Sequence, residues 1–194
     1  MALLLAGLLL FLGVHCTRVF ADGWRSAMVE RLGPKAWRGL YSLVSLAGLV
    51  LLVWGYGLAR QQPLALWQPP LGLRHAASLL TLLSFVLLAA AHVPGNAIKA
   101  RVGHPMVLGV KAWALGHLLA NGTLADVLLF GSFLAWAVLL YASLRRRDRQ
   151  AGVAHASGRP GPTAVAVAAG VLAWAVFAFW LHGPLIGVRP FGMG

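Results

Sequence analysis

Six apolar tracts, at residues 1–20, 40–59, 71–93, 105–120, 124–144 and 163–182, take up most of this 194-residue chain. Each is about 16 to 23 residues long, and at 1.5 Å per residue most reach across a hydrocarbon core of about 30 Å. Of all residues, 60% are hydrophobic and 10% charged, whereas soluble domains carry about 25% charged residues. A soluble fold of this length cannot hide so much apolar surface, so lipid takes the excess. The expected architecture is all-α: a polytopic transmembrane bundle of six helices in one integral-membrane domain, 1–194. The fourth tract is the shortest, and a re-entrant path there would reduce the count to five. The first tract lacks a basic leader and a clean cleavage pattern, because Cys16, Thr17, Arg18 and Val19 follow it. It reads as a retained helix rather than a secretion signal.

The basic residues give an orientation. Arg18, Arg25, Arg31, Lys35 and Arg38 lie in the first connection, Lys99 and Arg101 in the third, and Arg145, Arg146, Arg147, Arg149 and Arg159 in the fifth. Only Arg60, Arg74 and Arg189 fall on the other side. The positive-inside rule then places the first, third and fifth connections in the cytoplasm and both termini on the periplasmic side. The stretch 145–162 reads as a flexible cytoplasmic linker to a last helix at 163–182. The formal charge of +12 suits a bilayer with anionic headgroups. These cations flank helix ends, with no aromatic-interleaved polar domain, so no nucleic acid is expected as a partner. Cys16 is the single cysteine, which excludes an internal disulfide and a cysteine-rich metal site. No Walker loop, dinucleotide fingerprint or HExxH motif is present.

Against this background, polar residues inside the tracts carry the chemistry. Lys111 lies in the 105–120 tract, where a charge is costly and signals a functional cavity. Its stem cannot easily reach either interface, which argues against simple snorkelling. His104 precedes Pro105 at the start of that helix, and Lys111 sits about two turns on, so the two share a face. His15 is embedded one turn short of Arg18. His15 and His104 fall at compatible depths for two imidazoles to hold a haem iron across a bundle. His117 is a further candidate at a different depth. Arg18 can pair with a propionate. Lys111 can bind an anionic group or orient a substrate. His75 and His92 read as interfacial hydrogen-bonding residues and His155 as solvated.

The stretches Leu12-Gly13-Val14-His15, Arg31-Leu32-Gly33, Val93-Pro94-Gly95-Asn96 and the block from His104-Pro105 through Lys111 to His117-Leu118-Leu119-Ala120-Asn121-Gly122 resemble the NnrU family. The likeness runs from about residue 1 to 141, with a weaker tail. It implies a multi-pass protein of the cell inner membrane, associated in bacteria with denitrification and nitric oxide metabolism. It also implies kinship with the plant 15-cis-zeta-carotene isomerases, which use haem b to isomerise a polyene double bond. By that resemblance His15 and one of His104 or His117 inherit the ligand candidacy. Two functions follow as expectations: a haem b-binding membrane protein with redox or isomerase-like activity, or a cofactor-free assembly or scaffold factor for a respiratory reductase. A respiratory or denitrification complex and a second copy of the chain are the protein partners expected.

Overall fold

In the computed structural model, which describes residues 1–154 and 157–191, the chain is helical almost throughout. In order come α1 (Ala2–Phe20), α2 (Asp22–Ala59), α3 (Leu71–His92), the short α4 (Ala97–Val102), α5 (Pro105–Ala120), α6 (Leu124–Gln150) and α7 (Pro160–Val176). A π-helical turn, Phe177–Leu181, carries α7 into α8 (His182–Ile186). Pro184 is the third residue of α8 and cannot donate to the carbonyl four residues back, which gives a physical reason for the widened turn just before it.

Among the described residues, five helices are long and apolar enough to cross a membrane: α1, α2, α3, α6 and the continuous Pro160–Ile186. This corrects the expected six. α5 has 16 residues, or about 24 Å at 1.5 Å per residue, against a hydrocarbon core of about 30 Å. Helix boundaries also reach past the apolar tracts. α2 starts at Asp22 rather than near residue 40, and α6 runs to Gln150, so 145–150 is helix rather than linker. His155 lies outside the described residues.

The helices pack in the order α2, α1, α6, α5, α3, α7. Small residues set the closest approaches, as they do where helices meet in lipid. Gly48 of α2 sits against the backbone of Phe11 on α1, and Gly7 and Gly55 make the same kind of contact with Leu52 and Leu4. Gly109 and Gly116 of α5 lie on the carbonyls of Ser84 and Ala77 in α3, and Gly170 of α7 lies on Val86. The core formed by Leu4, Leu8, Leu52, Ala59, Ala125, Leu129 and Phe130 fills the junction of α1, α2 and α6.

Buried polar groups at the two ends of the bundle fasten this arrangement. Away from the arginine-rich end, Thr123 caps α6 in a reciprocal capping box with Asp126, satisfying two helix-end donors. Asp126 also accepts a 2.6 Å hydrogen bond from the Tyr56 hydroxyl, tying α2 to α6. At the arginine-rich end, Asn96 is buried and its amide nitrogen donates to the Ala90 and Val93 carbonyls. Its side-chain oxygen caps α4 by accepting from the Lys99 N–H, 2.8 Å away.

Candidate functional site

His15 sits inside the bundle where α1, α2 and α6 meet. Its ring lies 4.4 Å from the Phe11 ring, 5.3 Å from Tyr41 and 5.9 Å from Trp136, centroid to centroid. Nδ1 is 2.6 Å from the Phe11 carbonyl oxygen. That oxygen can only accept, so Nδ1 carries the proton and Nε2 keeps its lone pair. Metal-bound histidines are commonly prepared this way, with the second nitrogen donating to a carbonyl.

Two buried polar atoms have no hydrogen-bond partner among the described residues: Nε1 of Trp136, whose ring packs edge-on against His15, and Ser45 Oγ. Ser45 lies on the α2 face that meets α1, one turn from Tyr41, which touches His15, and close to Gly48, which touches Phe11. Desolvated donors of this kind cost free energy unless something accepts from them. Trp136 reads from sequence only as a tryptophan packed inside or facing lipid. No local pattern marks it, because its neighbour on α1 is 121 positions away.

His117 resembles His15 in its local bonding. Its Nδ1 donates to the Trp113 carbonyl at 2.9 Å, which again leaves Nε2 bare, and its ring stacks on Phe130 at 4.6 Å. His104 is engaged differently. Its Nε2 is 2.9 Å from Asp148 Oδ2, and Arg145 approaches the same carboxylate oxygen at 3.5 Å. The Tyr141 hydroxyl donates to the Val102 carbonyl beside it at 3.0 Å. This cluster closes the α4–α5 turn onto α6.

With α6 as a ruler, the depths separate. α5 runs antiparallel to α6, with His117 on Phe130 and Trp113 touching Phe130 and Phe133. His15 is level with Trp136. His117 therefore lies about 9 Å from the level of His15 along the axis, and His104 about 10 Å in the other direction, at 1.5 Å per residue. His15, His104 and His117 are not brought together, and no group of three or more His, Cys, Asp or Glu able to hold a metal is found among the described residues.

The same register places Lys111 at the level of Trp136, and so of His15. Lys111 is half-buried, and among the described residues its amine takes part in no hydrogen bond or ion pair. One flank of its helix face is buried Val107; the other is Leu115, 39% exposed. The Arg18 side chain is exposed. Its carbonyl accepts from Arg147, while its guanidinium has no partner among the described residues. Two open apolar grooves, of about 710 and 320 Å³, lie along α7 and α1; neither is lined by a histidine or by Lys111.

Haem, the cofactor the resemblance implies, can be tested against these residues. An imidazole with its proton committed to a carbonyl, an aromatic surround and unused donors alongside suit one axial ligand at His15. A facing pair of imidazoles is not formed in this arrangement. The family model described as NnrU protein matches residues 3–190, nearly the whole chain. No curated protein and no solved structure matches it.

Proposed function

The chain belongs to the NnrU family, and from that membership and the surroundings of His15 we propose that it is a haem b-binding protein of the cell inner membrane, with His15 as the axial ligand. The observation that carries the proposal is the His15 imidazole, proton-committed through Nδ1 to Phe11 and bare at Nε2 inside a ring of aromatic side chains. When bound, haem would supply an iron able to exchange electrons or bind a small ligand. The residues of the chain do the rest. Phe11 fixes the tautomer and orientation of His15. Phe11, Tyr41 and Trp136 shield part of it from water. Arg18, one turn nearer the arginine-rich end and with its guanidinium unpaired, is placed to neutralise a propionate. Lys111, at the depth of His15 on the far side of α6, supplies a positive charge for an anionic group.

Of the two remaining histidines, His117 keeps a bare Nε2, while that of His104 is taken by Asp148. His104 then serves as a fastener between α5 and α6, and His117 is the reserve second ligand should the helices shift. The experiment is purification in mild detergent with haem supplied, read by the Soret band and pyridine haemochrome. The expected result is about one haem per chain, lost or greatly weakened in His15→Ala and retained in His92→Ala, a partly exposed histidine bonded to Leu88. A folded parent without haem, or an unchanged spectrum in His15→Ala, overturns the proposal.

A further inference from the structure

Residues 22–32 form a helical segment bounded by two breaks. Ala21, at φ −137° and ψ 41°, ends α1. Gly33, at φ 78° and ψ 155°, interrupts α2 ahead of Pro34, a backbone conformation that favours glycine. The spanning part of α2 is therefore 34–59. Its pairing with α1 is regular: Leu4 meets Gly55, Gly7 meets Leu52 and Phe11 meets Gly48. Continued, that pairing sets Phe20 beside Gly39. The 22–32 segment thus connects the adjacent ends of two antiparallel helices, and Trp24 at its start reaches back to Trp37 with ring centroids 5.8 Å apart. The breaks at Ala21 and Gly33 separate its direction from that of either spanning helix.

Apart from Val29, which falls between Arg25 and Asp22, the residues of this segment divide by face at 100° per residue. Trp24, Met28 and Leu32 form one stripe. Asp22, Ser26 and Glu30 form the opposite stripe. Arg25 and Arg31 fall on the two borders between them. The two ends of the apolar stripe are open: Trp24 is 54% and Leu32 47% exposed, with Met28 between them half-buried, and Phe20 beside the segment is 70% exposed.

We propose that residues 22–32 are an in-plane interfacial helix that docks on anionic phospholipid headgroups at the arginine-rich end of the bundle. Trp24, Met28 and Leu32 enter the acyl boundary, Arg25 and Arg31 rest on phosphates, and Asp22, Ser26 and Glu30 face water. Continuity with the membrane argues for lipid over a protein partner, because the segment bridges the ends of two helices long enough to span. Charge complementarity argues likewise. The cations border the apolar stripe while the carboxylates are turned away, and Lys35 and Arg38 follow directly. One carboxylate, Asp22, faces Arg147 of α6 at 3.5 Å, which ties the start of the segment to α6.

The test uses the full chain in a Cys16→Ser background, with a nitroxide at Leu32→Cys or Glu30→Cys, in vesicles of phosphatidylcholine with or without phosphatidylglycerol. Collision with oxygen and with a water-soluble nickel chelate reports depth. With phosphatidylglycerol, the label at 32 should favour oxygen and the label at 30 the chelate. Omitting the anionic lipid, or adding Arg25→Gln and Arg31→Gln, should raise chelate access at 32 by about fivefold. Equal chelate access at 30 and 32 would mean that the segment stands off the bilayer. Shielding of 32 from both probes would mean that a protein surface covers it. Insensitivity to lipid charge would remove the anionic headgroup. Each result overturns the proposal, and the comparison of 30 with 32 holds even where the arginine variants fail to insert.

Discussion

Gly48→Ala tests whether the α1–α2 contact is as close as it looks. A Cβ added at Gly48 would lie 2.6 Å from the Phe11 backbone nitrogen and 3.0 Å from its Cα. Non-bonded heavy atoms settle at about 3.5 to 4.0 Å, so α1 and α2 must part by about 1 Å, and backbone cannot rotate aside as a side chain can. Overpacking of this kind costs about 1–3 kcal/mol. Gly57, two turns further along α2, is the control, because a Cβ there meets nothing within 4 Å. Both substitutions gain the same helix propensity, up to about 1 kcal/mol, so their difference isolates the steric part. Unfolding in mixed micelles, followed by circular dichroism, should place Gly48→Ala about 1–3 kcal/mol below Gly57→Ala. Because Phe11 also holds His15, Gly48→Ala should weaken haem retention where Gly57→Ala does not. Equal stability of the two variants would refute the close approach.

Tyr56→Phe removes the 2.6 Å hydrogen bond to Asp126 and leaves the ring in place. A bond to a charged acceptor contributes about 1.5–3 kcal/mol, so the same unfolding assay should register a loss of that size; parent-like stability would mean that water or lipid headgroups already satisfy Asp126. Lys111→Met should insert and fold at least as well as the parent, since it removes a half-buried amine without a partner and keeps a long side chain. It should also alter the spectrum of bound haem or the activity measured with it. Parent-like behaviour in both would mark Lys111 as an outward, snorkelling residue.

How much of this was legible in the sequence depends on whether lipid or protein holds each residue in place. The tract at 105–120 matches α5 residue for residue, because lipid and neighbouring helices demand apolar side chains along its length. The count of crossings failed at that same tract: hydropathy registers that a helix is apolar, whereas crossing also needs length, and 16 residues fall short. The ends of α2 and α6 were missed for the converse reason. Residues 22–39 and 145–150 are helical but charged, and a helix leaving the hydrocarbon carries no hydropathy signal. The amphipathic order of 22–32 is nonetheless present in the sequence as Trp24, Met28 and Leu32 at four-residue spacing, although the arginines among them lower its hydropathy.

The candidate site shows the limit more sharply. His15 and Lys111 were recognisable as polar residues in apolar tracts. The pairing of His15 with His104 rests on compatible depths near the arginine-rich end. In the structure His104 is held at the α5 terminus by Asp148, and the α4 turn sets that terminus, so the depths part by about 10 Å. One fastener was within reach: Thr123 and Asp126 are three apart after Asn121-Gly122, a spacing that predicts a capping box. Trp136 was not, because its importance comes from an unpaired indole N–H beside His15. That pairing of a bare imidazole nitrogen with an unused donor links two helices, α1 and α6, and neither carries it alone. A bound group that accepts from the indole while ligated by the imidazole would satisfy both at once, which is why the haem spectrum of His15→Ala decides more about this protein than any substitution at Lys111.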